Sequence, residues 1–501
     1  MEVKPDTAVA PSKAAPPPKP RSASKTEQTG PISRFDRFFE ITARGSTLSR
    51  EVRGGLVTFF TMAYIVVLNP LILGGAVDGE GRQLAIPAIA AATALVAGLM
   101  TILMGVVGRF PIALAAGLGV NAMVAYELAP QMTWADAMGL VVIEGVIIAI
   151  LVLTGLRTAV FKAVPAHLKT AIGVGIGLFL TIIGLANAGF VRSGSGTPIE
   201  MGIGGKLISW PVLVFIAGLL FTLVLTVRKV KGAILFGILG STVLAIIVEA
   251  VAKVGPNFVD GQPNPKGWAL NVPSVPDTFV SLPDLSLLGQ FNVLGSWSSA
   301  GWLVALMFVF TLLITDFFDT MGTMVAVGEE GKLLDEDKMP PRTKQILLVD
   351  SIAAAAGGAA STSSNTSYIE SAAGVAEGAR TGVANLVTGA LFLMAMFIAP
   401  LVSVVPFEAA STALVVVGFL MMIGVRNIDW TDYEIAIPAF LTMVLMPFTY
   451  SISNGIGAGV ISYVVIKLAR GKGRELHPML YGVAVLFLAY FLRGPIEAVL
   501  F

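Results

Sequence analysis

From residue 55 onward the chain alternates long apolar runs with short polar connections. About fourteen of these runs approach the roughly twenty residues that carry a helix across a hydrocarbon core of about 30 Å. The predicted spans are 55–77, 84–107, 110–129, 134–155, 164–190, 208–227 and 232–254, then 302–328, 344–360, 362–380, 384–404, 406–425, 433–449 and 451–469. Seven precede and seven follow a polar loop, 255–301, rich in Pro, Gly and Asp. The stretch His477 to Leu492 is left over, either as a further short span or as a helix lying at the interface. The expectation is an all-α polytopic membrane protein.

Charge orients the spans. Residues 1–54 carry Pro16-Pro17-Pro18, many Ala, Ser and Lys, and no apolar run of signal-peptide length, which reads as a disordered polar leader. With that basic leader in the cytoplasm, the connections that fall on the same side hold Arg109, Arg157 with Lys162, Arg228 to Lys231 and Lys332 to Lys344. Arg380, Arg426 and the Lys467 to Arg474 cluster follow the same parity, as the positive-inside rule requires. The expected domains are the leader 1–54, a first helix set 55–254, an extracytoplasmic loop 255–301, a second helix set 302–469 and a C-terminal extension 470–501.

The two sets share a fragment. Val164-Pro165 is followed by Phe179-Leu180-Thr181-Ile182-Ile183-Gly184, and Val405-Pro406 by Phe419-Leu420-Met421-Met422-Ile423-Gly424. In the assigned topology the first runs outward and the second inward, as two inverted seven-helix repeats would have it.

Two polar runs interrupt the apolar pattern: Thr315-Asp316-Phe317-Phe318-Asp319-Thr320 and Thr366-Ser367-Tyr368-Ile369-Glu370-Ser371. A carboxylate at the centre of a bilayer costs roughly 2.5 to 3.5 kcal/mol on insertion scales, so these acids point to a polar site at mid-membrane. The third and tenth spans also look broken. One reads Phe110-Pro111-Ile112-Ala113-Leu114-Ala115-Ala116-Gly117-Leu118-Gly119-Val120-Asn121, the other Ser361 to Tyr368 before Glu370. Extended backbone at that depth is tolerated only where protein buries it or it lines a cavity, so the two breaks are expected to face each other. Asp316 and Asp319, three apart on one helix, can both look toward that cavity. Carboxylates accept from ring N–H groups, the Asn121 amide both donates and accepts, and the Tyr368 ring can stack on a flat ligand. Acids crowded in a dry site repel one another, a route to proton coupling through Asp316, Asp319 and Glu370. Structural pairing or an interfacial place accounts for Glu144, Asp350 and Glu249 at least as well as function does.

Composition removes other classes. The 501 residues are 55% hydrophobic and 13% charged, with net charge +1 and mean hydropathy +0.82, outside the range of soluble globular domains. A near-neutral chain has no field for nucleic acid. With no cysteine and two histidines, His167 and His477, there is no thiolate metal site and no expected cofactor. No GxxxxGK[ST] loop is present to power an ATP-driven pump.

At these residues the chain resembles the AzgA-type purine permeases, a branch of the second nucleobase/cation symporter family within the nucleobase-ascorbate transporter superfamily. The likeness runs from Phe38 to about His477 and is most specific at Thr58 to Leu73, Gly117 to Ala122, Thr315 to Gly322 and Ser361 to Gly374. It implies fourteen helices in two inverted repeats, a core domain moving against a gate domain, and proton-driven uptake of hypoxanthine, guanine or adenine at the cytoplasmic membrane. By motif it places purine binding on Asn121, Asp316 and Glu370, with Gly119 and Asp319 secondary and Tyr368 matching a tyrosine of structurally studied relatives. Those relatives have a glutamate and a histidine on the eighth span where this chain has Asp316 and Asp319, so their proton handling does not carry over. Proton and sodium both stay open as coupling ion, and a homodimer is expected from the wider fold alone.

Two other functions compete. A same-fold transporter of another nucleobase or of a small anion would suit the architecture, but anion sites use basic residues or bare helix N-termini where this site is acidic. An intramembrane aspartyl protease would need its two aspartates on facing helices, whereas Asp316 and Asp319 share one. The chain reads as a transporter, not an enzyme.

Overall fold

Apolar side chains on every face suit a helix to lipid on one side and protein on the other. The computed structural model describes residues 33–155, 164–194, 196–259, 262–276, 278–335 and 339–492. Among these residues ten helices are long and apolar enough to cross a membrane, so the chain is a mostly helical, multi-pass membrane protein. The helices are α1 (Arg34–Phe39), α2 (Leu48–Met62), α3 (Ile65–Gly74), α4 (Ile86–Leu103), α5 (Leu118–Met123), α6 (Trp134–Thr154), α7 (Ala166–Asn187), α8 (Trp210–Val227) and α9 (Ala233–Ala252). After the polar loop follow α10 (Gly295–Ser299), α11 (Trp302–Gly331), α12 (Thr343–Ala359), α13 (Ser371–Ala376), α14 (Val383–Ala395), α15 (Phe407–Met422), α16 (Tyr433–Thr449), α17 (Ile452–Ala469) and α18 (Pro478–Phe491). Six short strands make three antiparallel pairs: β1 (Leu114–Ala116) with β6 (Asn365–Ser367), β2 (Val191–Arg192) with β3 (Glu200–Met201), and β4 (Phe258–Val259) with β5 (Gln262–Pro263).

The expected spans 110–129, 344–360, 362–380 and 433–449 fall on shorter pieces: β1 with α5, α12, β6 with α13, and α16. Helices α2, α4 and α14 pack together and α6 packs on α12, while α7 packs on α15 and α16, with α8 against α9 and α15. Small residues set these distances. A Cβ on Gly98 would meet Gly389 O at 2.9 Å, and one on Gly389 would meet Gly98 O at 2.6 Å, so α4 and α14 touch backbone to backbone. Without water to drive association, such close van der Waals contact holds membrane helices together.

β1 and β6 form the buried centre. Leu114 lies opposite Ser367, Ala115 opposite Thr366 and Ala116 opposite Asn365. Tyr368 N–H donates to Ala113 O at 3.0 Å, and Gly117 N–H donates to Ser364 O at 2.9 Å. Two broken helices thus satisfy each other's backbone. Side chains finish the accounting: Thr101 Oγ1 accepts from Leu114 N–H at 2.9 Å, and Asn385 Nδ2 donates to Phe110 O and Ile112 O at 2.9 and 2.8 Å. In lipid every such group left unpaired would cost several kcal/mol, on the order of its transfer penalty.

One expected boundary changes. The polar leader was expected to run disordered to residue 54; residues 1–32 lie outside the described residues, but 33–54 are folded as α1, a turn and the start of α2. The reason is local. Ser33 caps α1 by accepting from Asp36 N–H, Asp36 accepts from the Thr42 hydroxyl at 2.6 Å, and buried Glu51 accepts from Arg380 N–H at 2.9 Å. At the other end α18 has 14 residues, about 21 Å at 1.5 Å per residue, less than a bilayer core. It packs on α17 and α11, with fully buried Phe487 beside Gly457 and 6.0 Å from the Phe310 ring.

Candidate substrate site

The site begins with α11, whose 30 residues are mostly buried. Its exposed positions after mid-helix are Asp319, Gly322, Glu329 and Glu330, a stripe at helical spacing that runs to the helix end. Neither Gly322 of α11 nor Gly173 of α7 has an atom within 4 Å of where a Cβ would stand, so this side is open. Phe318 borders it, with Lys169 Nζ of α7 4.9 Å from its ring centre. Asp319 is therefore accessible although it sits deep within a membrane helix.

Asp316, three residues earlier, has a different environment. It is fully buried, and the Thr366 hydroxyl is the side-chain group within bonding reach of its carboxylate. The two acids were expected to look into one cavity; the structure instead turns Asp319 to the open stripe and Asp316 into the protein. Around Asp316 stand Glu144 of α6 and Asp350 of α12, both within electrostatic reach. Asp350 is satisfied, accepting from Thr320 Oγ1 and Ser367 Oγ at 2.8 Å each, and Thr320 also meets Thr366 Oγ1 at 2.7 Å. Glu144 is fully buried, with the Ser364 hydroxyl within bonding reach of its carboxylate. The Glu249 carboxylate accepts from Trp268 Nε1 at 2.7 Å and Val254 N–H at 3.0 Å, which closes the end of α9.

Glu370 stands immediately before α13, half-buried, and Oε1 accepts from the Tyr64 hydroxyl at 2.5 Å. It lies within electrostatic reach of Asp319 and Tyr368. Tyr368 is buried and its hydroxyl donates to Ala116 O on the facing strand at 2.5 Å. Asn121 on α5 is fully buried, with neither amide atom partnered. Gly119, one turn before the end of α5, faces Ile176 of α7, whose Cγ2 would lie 2.7 Å from an added Cβ. Its role in the packing is to let α5 approach α7.

Helix α11 packs on both α5 and α13 as well as on β6, which ties the elements bearing Asn121, Asp316, Asp319 and Glu370 into one region. An unpartnered amide and buried carboxylates beside a strand break form a set of donors and acceptors that a small polar heterocycle could satisfy. Among the described residues no group of three His, Asp or Glu side chains has the arrangement to hold a metal ion. Sequence reasoning missed Tyr64. Its signal was a tyrosine hydroxyl within the apolar Thr58 to Leu73 run, which must find a buried partner.

Comparison with known proteins places this arrangement. Residues 49–457 match the Permease family model Xan_ur_permease. The chain is 39% identical over 466 residues to the guanine/hypoxanthine permease PbuG of Bacillus subtilis (strain 168), covering 91% of this chain and 99% of that one. It is 34% identical over 469 residues to the adenine permease AdeP of Escherichia coli (strain K12), covering 93% and 98%. Among solved structures, the transmembrane domain of the cyanobacterial bicarbonate transporter BicA superposes with TM-score 0.55 at 15% identity, over 82% of this chain and 97% of that one. SLC26A9 superposes with TM-score 0.56 at 12% identity, over 90% and 73%. These two show a shared fold alone.

Proposed function

The chain belongs to the Xan_ur_permease family and is a permease, not an enzyme, and on that premise we propose that it imports purine nucleobases, hypoxanthine, guanine or adenine, by proton symport. The observation that carries the reading is the unpartnered Asn121 amide together with the fully buried Asp316 carboxylate, beside the β1/β6 break. Asp316 and Glu370 accept from ring N–H groups, Asn121 pairs with a ring N or carbonyl, and Asp319 supports them from the open stripe. The Tyr368 ring packs against the site while its hydroxyl is held by Ala116, and Gly119 sets the approach of α5 to α7. The names of PbuG and AdeP support the purine class. The acidic site speaks against the anion alternative, which the fold alone would permit.

The architecture we propose is fourteen spans in two inverted repeats, 55–254 and 302–469, with 255–301 outside and the N-terminus in the cytoplasm. Support comes from the strand centre, where the Tyr368 to Ala113 bond and the Gly117 to Ser364 bond are counterparts, since Ala113 to Ser364 and Gly117 to Tyr368 are one same interval along the chain. Gly177 of α7 and Gly418 of α15 add to it: they lie at matching distances after Pro165 and Pro406, and a Cβ on Gly177 would meet Gly418 O at 2.8 Å. In this reading α2 to α6 and α11 to α14 form the core that moves against a gate of α7 to α9 and α15 to α17, in the cell membrane and in a homodimer.

The test is uptake of labelled hypoxanthine by cells lacking their own purine carriers, competed by a panel of purines, pyrimidines and anions, with and without an uncoupler. Purine-selective, uncoupler-sensitive accumulation is expected, lost in Asp316→Asn and Glu370→Gln variants that still reach the membrane. Equal uptake with and without the protein would refute the function. Wild-type uptake by both variants would refute the site.

A further inference from the structure

We propose that Glu144 is the proton-holding partner of Asp316, so that the coupling proton resides on this buried acid pair behind the purine rather than on Glu370. The inference deepens the proton-symport reading above and rests on it. Its first ground is burial with little compensation: all four oxygens of the two carboxylates are buried, and the groups within bonding reach of them are neutral hydroxyls, Thr366 at Asp316 and Ser364 at Glu144. Two such groups cannot both be charged in a dry site at tolerable free energy, whereas one proton shared between them leaves a single charge.

Packing supplies the second ground. Gly145, beside Glu144, sits so close to α12 that an added Cβ would stand 2.8 Å from Ser351 O, which fixes Glu144 opposite the Asp350 region. Asp350 is the one acid of this group with its bonds made, to Thr320 and Ser367, and it gives the pair a rigid acidic neighbour. The groups facing Glu144 from its packed elements can be named in full. Helix α11 brings Asp316, with Asp319 turned away to the open stripe, α12 brings Asp350, and the segment before β6 brings the Ser364 hydroxyl. The titratable residues of the adjoining 124–128 segment are engaged elsewhere, Tyr126 accepting from Asn187 Nδ2 at 3.1 Å and Glu127 from Ser453 Oγ at 2.8 Å. Helix α10 has no titratable residue, and Lys344, the one basic residue on these elements among the described residues, is exposed at the start of α12. Among the described residues no cation on these elements compensates the pair, and the acids do not converge as metal ligands do. A proton is the cation that fits.

The proton balance is simple. With the proton on Glu144, Asp316 is ionised and accepts the purine ring N–H. After the purine leaves, the proton passes to Asp316 and on through Asp319 to the open stripe of α11. One proton moves with one purine, and no bond other than O–H forms or breaks.

The experiment uses purified full-length protein in proteoliposomes, with labelled hypoxanthine and an internal pH dye. Wild type should exchange hypoxanthine at equal pH and concentrate it under a one-unit pH gradient, a driving force of about 1.4 kcal/mol or tenfold per proton. Glu144→Gln should keep exchange and lose both the concentration step and hypoxanthine-driven proton entry, while Glu144→Asp keeps all three. Concentration by Glu144→Gln at the wild-type level overturns the proposal. Loss of exchange and concentration together, with the variant monodisperse, overturns it as well, because Glu144 would then act in binding or folding. Infrared difference spectra on adding hypoxanthine give a readout that needs no transport: the protonated-carboxyl band should move in Glu144→Asp, and an unmoved band also overturns it. If wild type itself exchanges no purine, the proposed function has failed instead.

Discussion

The Tyr64 hydroxyl donates to Glu370 Oε1 at 2.5 Å, joining the first membrane helix to the residue just after the β6 break. Tyr64 is fully buried and Glu370 half-buried, so Tyr64 fixes the direction in which Glu370 presents its second oxygen. A hydrogen bond to a charged group contributes about 1.5 to 3 kcal/mol, roughly ten- to a hundredfold in an equilibrium constant. We expect Tyr64→Phe to raise the KM for hypoxanthine about tenfold or more while the protein stays folded. Unchanged KM in uptake kinetics would show that the bond does not orient the carboxylate.

The exposed stripe on α11 makes a second prediction, and the absence of cysteine in the chain makes it clean. Cysteine placed at Gly322 should react with a membrane-impermeant maleimide from the side on which α11 ends, with protection by hypoxanthine. Phe308, fully buried on the same helix, should stay unlabelled as Phe308→Cys. Equal labelling of the two would mean that the stripe is closed.

Glycine contacts between helices can be probed by size. On Gly418 a side chain would run into Thr181 and the Gly177 backbone, whereas on Gly482 of α18 it would meet nothing within 4 Å. Gly418→Val should lower the Tm of the detergent-solubilised protein, with overpacking costing about 1 to 3 kcal/mol. Gly482→Val should leave Tm where it was, and a comparable fall in both variants would refute the packing account.

Asp78, in the loop between α3 and α4, gives a pH dependence. Burial pushes its carboxyl up, but N–H groups of Arg82, Trp134 and Glu80 and the Arg82 guanidinium outweigh that and hold it below the usual aspartate value. A lowered folded-state pKa adds stability that is fully present above the unfolded value of about 3.9 and is lost as pH falls through the folded value. Asp78→Asn should therefore lower Tm at neutral pH, with the gap to wild type closing below about pH 4. A gap independent of pH would count against the charge.

Much of the site's chemistry could be read before any fold was known, because carboxylates within apolar runs are expensive and conspicuous. Asp316, Asp319, Glu370 and Asn121 announce themselves in this way, and the prolines and glycines of Phe110 to Gly119 mark one break. Periodicity could not divide Asp316 from Asp319, since an interval of three leaves both on a broad face, and only the packing of α6 against α11, with the Thr320 bond to Asp350 of α12, turns one inward. Glu144 was visible as an acid in an apolar run but its neighbours were not, and Tyr64 was missed altogether. A single polar atom in an apolar helix says that a partner is needed and never says which.

Length and hydropathy by themselves determined that this is a multi-pass helical membrane protein with buried acids, because the bilayer imposes a span length and penalises charge residue by residue. The tertiary structure decided the pairing of β1 with β6, the opposite surroundings of Asp316 and Asp319, the Tyr64 bond to Glu370 and the burial of Glu144. These depend on contacts between positions up to several hundred residues apart, which no local pattern encodes.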